Sequence, residues 1–478
     1  MAKAKLSGGT RLAYGFGLAA AGIKANAFNV FLLFYYERVA GLDPILIGFA
    51  LLLALCVDAV TDPLVGVWSD GWKSKLGRRH PFMYASALPL AFCYMAVFMP
   101  PDAMSQTALF LWLLTFAIGT RFSMTLFVIP HQTLVAELTS DCDERTTLQS
   151  LRTVFAWIFG LANAALAYVV FLAAGLDQAA GYTPFAIFGA TVMLVATLVS
   201  ARGTQRAALE TQPDTDAVKA IPLRQVLGQI RVALESSAYR ATVIAGIFLF
   251  VGFGIAENLG NYIYTYFWGF TPRQIFGFIL VIVVASFGVL LTARKLSARF
   301  GKRKVGMVCG LIHASAFPSL ILLKLGGFLP PTGSTALLLM IGVAVYVGYS
   351  AIIMSMTMIG AMIADITDEH ELRTGARQEG LLYSANMLLD KAASGVGVFG
   401  ASIVVKIASI PAGASRDTVS PHVIQNLGLI SMGIAVVFGL GMAWSFSRYR
   451  LSREQHGDIV LELERSRTLR EAIRAASA

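Results

Sequence analysis

Cys56-Val57-Asp58-Ala59-Val60-Thr61-Asp62-Pro63 lies inside an apolar run from about Ile45 to about Trp68, long enough to cross a bilayer, which takes about 20 residues. Two carboxylates at that depth decide the reading. An ionised acid near the bilayer centre costs at least about 2.5 kcal/mol, so acids so placed mark function or are paired. Asp58 and Asp62 are one helical turn apart and Thr61 sits between them, which brings all three oxygens near one helix face. Like charges repel strongly in low dielectric, and a proton on one or a cation shared by both relieves the conflict. The expectation is a cation site at Asp58, Thr61 and Asp62. The alternative is a helix cap or an ion pair with a neighbouring arginine, although the segment itself supplies no base before Lys73.

Composition extends this reading to the whole chain. Of 478 residues, 56% are hydrophobic and 14% charged, and the mean hydropathy of +0.67 is far above that of an ordinary soluble domain. Apolar spans fall at about 12–36, 45–69, 82–100, 106–136, 150–174, 183–201, 241–268, 274–293, 305–325, 335–363, 380–408 and 422–446. The expected fold class is an all-α membrane protein of twelve transmembrane helices. The net charge of +10 resides in short connections rather than on one amphipathic face, so it argues for the positive-inside rule and against a nucleic-acid partner. Lys73, Lys75, Arg78 and Arg79 follow the second span and Arg294, Lys295, Arg299, Lys302, Arg303 and Lys304 the eighth, whereas Pro100-Pro101-Asp102 and Ala174-Gly175-Leu176-Asp177 carry no base. Both termini are therefore expected in the cytoplasm. Cys56, Cys93, Cys142 and Cys309 show neither disulfide nor metal-ligand spacing, no cofactor is expected, and no nucleophile and base recur in the spans, so an enzyme is not expected.

The long polar interruption at about 202–240 parts six spans from six, giving expected bundles at about 1–201 and 241–446, a central loop with an amphipathic stretch, and a cytoplasmic tail at about 447–478. Leu76-Gly77-Arg78-Arg79-His80 in the first half answers Phe300-Gly301-Lys302-Arg303-Lys304 in the second, the weak symmetry of a parallel transporter repeat. A small-molecule solute is then expected between two pseudo-symmetric bundles.

The motifs resemble those of the major facilitators, and more narrowly of the glycoside–pentoside–hexuronide:cation symporter family of melibiose-permease type. Tyr14-Gly15-Phe16-Gly17 with Phe34-Tyr35-Tyr36 resembles its first helix, Asp58 to Gly66 its cation motif, and Gly77-Arg78-Arg79-His80-Pro81-Phe82 the following loop. Pro130, Glu137-Leu138-Thr139-Ser140-Asp141, Glu144-Arg145-Thr146-Thr147-Leu148 and Arg152 resemble the passage from helix four to helix five. Ala364-Asp365-Ile366-Thr367-Asp368, Thr374-Gly375-Ala376-Arg377-Gln378-Glu379-Gly380 and Lys391 resemble the passage from helix ten to helix eleven. The resemblance implies symport with Na⁺ or H⁺ by alternating access, a monomer in a bacterial inner membrane, and Thr125 as a further cation ligand beside Asp58, Thr61 and Asp62. It assigns Asp70, Arg78, Arg79, Glu137, Arg145, Asp365, Arg377 and Glu379 to gating.

Departures from the family bear on the solute. The acids that grip sugar hydroxyls on the family's helices one and four align with Gly22 and Val128, and its helix-four tryptophan with Gln132. Arg152 and Lys391 remain, and Lys24, Asn26 and Asn29 are added on helix one. Buried cations need counter-charge, so an anionic or zwitterionic relative of a sugar is expected somewhat over a neutral one. A lysophospholipid or other amphiphile is the alternative within transporters, and a non-transporting receptor or scaffold the alternative outside them. Glu257, Asn258 and Asn261 form a polar patch in span seven, read either as substrate ligands or as inter-helix hydrogen bonds. Tyr262, Tyr264, Tyr266 and Trp268 at the end of that span are expected to be interfacial aromatics.

Overall fold

The computed structural model describes residues 6–139, 141–211, 234–374, 379–410, 418–451 and 453–477. Among these, all regular structure is helical. Twelve helices follow the sequence spans: α1 Gly8–Val39, α2 Pro44–Gly71, α3 His80–Val97, α4 Gln106–Leu138, α5 Asp143–Phe171, α6 Tyr182–Thr211, α7 Ser237–Trp268, α8 Pro272–Phe300, α9 Lys302–Leu325, α10 Thr335–Thr374, α11 Glu379–Ala408 and α12 Pro421–Ser447. A thirteenth helix, α13, spans Arg453–Ser477. Eleven of the twelve are long and apolar enough to cross a membrane by that measure alone. The remaining one, α3, is only 18 residues long and begins with His80-Pro81 and carries Pro89. At about 1.5 Å per residue it still spans nearly the hydrocarbon thickness of about 30 Å.

Helix ends follow local chemistry. Asp43 caps α2, its Oδ1 accepting from the Ile45 N–H at 2.9 Å, with Pro44 in the first turn. Ser105 caps α4 through the Ala108 N–H at 3.2 Å, and Asp141 caps α5. Gln106 then ties the α1–α2 turn: its amide donates to the Gly41 carbonyl at 2.7 Å and accepts from the Asp43 N–H at 3.0 Å. Gly41 has φ +75°, which favours glycine in that turn. Helix α6 continues to Thr211 and α7 begins at Ser237, so the central connection is shorter than the sequence reading. Its amphipathic stretch lies outside the described residues.

The chain forms two compact units, one of Met1–Ala220, Glu257–Gly277 and Val398–Leu427 and one of Ile221–Ala256, Phe278–Gly397 and Gly428–Ala478. In the first, α2 and α3 pack against α4, α3 against α6, and α1 against α5 and α6. Helix α1 is not uniform: it turns at Gly17-Leu18 and passes through π-helical segments at Ala27–Phe31 and Tyr35–Val39. It also comes very close to α5, because a Cβ on Gly22 would stand 2.0 Å from the Ala156 carbonyl oxygen. Small residues permit such backbone approach between membrane helices. Val60, Leu64, Val67 and Trp68 line the exposed face of α2, opposite the buried Asp58 and Val65, as expected of a helix with one face toward lipid.

In the second unit, α9 packs on α10, and Tyr239, Met358, Met362, Met442 and Phe446 share one buried cluster. The tail helix α13 packs against α10 and buries Leu463.

Candidate functional site

Two adjacent helices of the first unit carry the acid pair and its partners. Asp58 and Asp62 stand one turn apart on α2; Arg121 and Thr125 stand one turn apart on α4. Asp58 Oδ2 receives Arg121 Nη1 at 2.6 Å, and Asp62 Oδ1 accepts the Thr125 hydroxyl at 2.7 Å, both across a sequence separation of 63. The equal separation follows from parallel helices in matched register. Both members of the ion pair are largely buried, with side-chain exposures of 13% and 12%. Buried Asp58 Oδ1 and Arg121 Nε have no hydrogen-bond partner among the described residues.

The expected four-oxygen cage is therefore altered. Thr125 joins Asp62 as anticipated, but Thr61 Oγ1 reaches back to the Asp58 carbonyl at 3.5 Å, and Asp58 holds an arginine. Of the two original alternatives, the arginine pair is realised at Asp58. Arg121 escaped the sequence reading because it lies far along the chain; its signal was a lone base inside the apolar span Gln106–Leu138. Phe28 is buried near two cations, with Lys24 Nζ 5.4 Å and Arg121 Cζ 5.9 Å from its ring centroid.

The expected substrate residues divide. Asn26 accepts from Asn163 at 2.9 Å, linking α1 to α5. Asn261 donates to the Val30 carbonyl at 2.7 Å and accepts from Tyr168 at 2.6 Å, joining α7 to α1 and α5. Both are engaged in helix packing. Arg152 is buried, donates to Gln149 at 2.8 Å and hydrogen-bonds Tyr14. Tyr14 in turn stacks on His131 at 4.2 Å, and His131 Nε2 lies 2.9 Å from the Tyr14 carbonyl, so His131 is a packing histidine here. Glu257 is hydrogen-bonded to Asn29, Asn258 is buried, and Gln132 is exposed on α4. Lys391 is exposed on α11 in the second unit.

Tyr262, Tyr266 and Trp268 are buried, which corrects their reading as interfacial aromatics. The cause is a buried ion pair that the sequence reading did not isolate. Arg38 and Glu37 contact at 3.3 Å, Tyr262 donates to Glu37 Oε2 at 3.1 Å, and Arg38 lies over Tyr266 at 5.1 Å. Phe34 completes the cluster, 4.9 Å from Tyr262.

The gating residues also sort by unit. In the first, Arg78 Nη2 and Arg79 Nε both reach Glu137 Oε1, at 3.2 and 3.1 Å, while Arg79 also pairs with Asp70 and donates to Ser69 at 2.7 Å. Arg145 donates to the Thr139 carbonyl at 2.9 Å, closing the turn between α4 and α5. In the second, Asp365 receives Lys302 at 2.6 Å and faces His456 at 3.6 Å, which itself contacts Asp368 at 3.0 Å. Arg377 and the Glu379 side chain lie outside the described residues.

Comparison with known proteins places this arrangement. The chain is 26% identical to an uncharacterized symporter of Synechocystis sp., over 96% of this chain and 97% of the relative. It is 24% identical to a putative glycoside/cation symporter, YagG, of Escherichia coli, over 92% of each. Among solved structures, it matches a bacterial homologue of the iron transporter ferroportin in an inward-facing state, with a TM-score of 0.63 at 13% identity, over 92% of this chain and 98% of that one. This last likeness is one of fold, that of a twelve-helix major facilitator. The family model described as MFS/sugar transport protein matches residues 13–453, and the chain belongs to that family of transporters.

Proposed function

We propose that the protein is a cation-coupled symporter of a glycoside-like solute in a bacterial inner membrane, working by alternating access with both termini in the cytoplasm. The observation that carries the reading is the pairing of Asp58 and Asp62 on α2 with Arg121 and Thr125 on α4, inside apolar helices where unpaired charge is costly. A cation taken up there changes the charge of the α2–α4 interface, and that change biases the equilibrium between transport states. The name of the glycoside/cation relative supports the solute class.

Charge balance refines that class. Within the apolar spans at about 12–36, 45–69, 106–136 and 150–174 the acids are Asp58 and Asp62 and the bases are Lys24, Arg121 and Arg152, so bases exceed acids there before any coupling ion arrives. An acidic sugar such as a hexuronide restores the balance, whereas a neutral glycoside leaves positive charge uncompensated. Gly22 explains why the family's helix-one acid is missing: no side chain fits against the Ala156 carbonyl.

Thermal unfolding of the purified protein against neutral glycosides, hexuronides and lysophospholipids, each with Na⁺ or choline at two pH values, tests this reading. A ligand of the native state raises apparent stability, by about 2.7 kcal/mol at 100 times its Kd. Hexuronide stabilisation, followed by gradient-driven uptake into proteoliposomes, is expected. Stabilisation by neutral glycosides alone would assign the three bases to packing, and stabilisation by lysophospholipid alone would replace the solute class.

A further inference from the structure

The turn between α8 and α9 differs in charge from its counterpart in the first half. There, Arg78 and Arg79 are both paired, through Glu137 and Asp70. The stretch from Arg294 to Lys304 holds six bases and no acid, and among the described residues only Lys302 of the six has an acid partner, Asp365 at 2.6 Å. Arg294, Lys295, Arg299, Arg303 and Lys304 are all exposed. Five like charges so close together repel one another unless an anion lies among them. The positive-inside rule asks only for bases on one side of the membrane; it does not ask for their concentration in one turn.

The helix faces leading into the turn supply a second observation. Val284, Phe287 and Leu291 are exposed and succeed one another at three- and four-residue spacing, so they line one face of α8. Arg294 and Lys295 continue that face through its next turn, where the apolar sequence stops. On α9 the exposed Lys304, Val308 and Leu311 repeat the pattern in the opposite sense. Gly301 alone joins the two helices, with φ +78°, and so brings the two basic ends together. Phe300 is exposed beside Arg299, whose Cζ lies 5.2 Å from its ring centroid. An occupant therefore meets bases at one end and hydrocarbon along both stripes. A soluble anion answers only the bases, and a zwitterionic lipid brings its own cation to its phosphate.

We propose that the α8–α9 turn is a binding site for an anionic phospholipid, with its phosphate among Arg294, Lys295, Arg299, Arg303 and Lys304 and its acyl chains along the exposed stripes of α8 and α9. In the orientation given under the proposed function, this lipid belongs to the inner leaflet. Guanidinium groups favour phosphate through paired, charge-assisted hydrogen bonds. Each base close to an anionic lipid surface is worth roughly fivefold in affinity. Lys302 is left out of the set because Asp365 already holds it.

The test is lipid binding by the purified full-length protein in neutral detergent, read by native mass spectrometry and by thermal unfolding. The probes are phosphatidylglycerol, phosphatidylcholine with the same acyl chains, and glycerol 1-phosphate, which carries the phosphate without chains. Phosphatidylglycerol is expected to bind and stabilise above phosphatidylcholine, and glycerol 1-phosphate to do neither. Arg299→Gln/Arg303→Gln is expected to lower the affinity for phosphatidylglycerol by at least about 10-fold, and Arg299→Lys/Arg303→Lys to retain most of it. Both side chains are exposed, so unfolding of these variants in phosphatidylcholine should match wild type and report that they are folded. Lys73→Gln/Lys75→Gln removes the same charge from the equivalent turn and is expected to leave the affinity unchanged. Equal binding of the two lipids would overturn the proposal, and so would equal losses in the two glutamine variants, which would trace binding to overall charge. Stabilisation by glycerol 1-phosphate as large as that by phosphatidylglycerol would replace the lipid with a soluble anion. No solute or ion gradient enters these measurements, so failure of uptake in proteoliposomes would count against the symporter reading alone.

Discussion

Helices α2 and α4 are held together at two places by buried charge, and the two are built differently. Toward the Gly71 end of α2, Arg79 contacts Glu137, Asp70 and Ser69, Arg78 shares the same Glu137 oxygen, and no buried polar atom of Arg79 or Glu137 lacks a partner. Near the middle of the helices, Asp58 and Arg121 each keep an unsatisfied buried atom. Full satisfaction is what a structural network needs, and partial satisfaction is costly. The end cluster is thus a fastening, whereas the mid-helix pair keeps polar atoms unsatisfied, in keeping with the coupling site proposed there.

The largest effect is expected at the fastening. Glu137→Ala leaves buried Arg79 with Asp70 and Ser69 only and strips Arg78 of its acid, and removing one partner of a buried pair costs about 3–5 kcal/mol. Thermal unfolding should therefore drop sharply, with ion discrimination in the surviving protein unchanged. An altered Na⁺ response in Glu137→Ala would break the distinction between the two regions.

The mid-helix pair should behave otherwise. Asp58→Asn leaves Arg121 without its carboxylate and should cost on the order of 3 kcal/mol, yet adding Arg121→Gln should return most of that stability. A double-mutant cycle isolates the coupling. Gradient-driven accumulation should be lost in both variants, because one of the two carboxylates of the proposed coupling site is gone. Recovery of stability without recovery of transport would mark the pair as functional rather than structural.

These differences were only partly visible in the sequence. Asp58 and Asp62 declared themselves because two acids within one turn of an apolar run have no cheap structural explanation. The cluster around Glu137 was recognised through short motifs, and Thr125 through resemblance. Arg121 was not, since periodicity says which residues share a face of one helix and nothing about which helix lies opposite. Its spacing to Thr125 repeats that of Asp58 to Asp62, a match that has meaning only once α2 and α4 are known to run parallel in register. Glu37 and Arg38 were hidden for a different reason: charges at the end of an apolar run look interfacial until Tyr262 and Tyr266 are found covering them. Gly22 concealed most, because the reason for a missing side chain is a neighbouring backbone, here the carbonyl of Ala156.

An exposed ion pair supplies the lower bound of the comparison. Asp43 pairs with Lys406, with side-chain exposures of 33% and 54%. Partial burial pushes the Asp43 carboxyl up, but the hydrogen bonds from Lys406 and the Ile45 N–H, with the Lys406 charge, outweigh it and hold the group below its ordinary value of 3.8. A depressed folded-state pKa contributes stability that is present above the unfolded value and disappears as pH falls through the folded one. Solvent screens a pair so exposed, and its contribution is about 0.2–1 kcal/mol. Asp43→Asn keeps a good helix cap and removes only the charge. Its unfolding temperature should therefore sit slightly below wild type at pH 7, converge with it as pH falls below the ordinary value of 3.8 and through the lowered folded-state one, and converge also in about 1 M salt, where screening shortens to about 3 Å. A salt-insensitive loss as large as that of Asp58→Asn would show that burial does not govern the cost of breaking charge pairs in this protein.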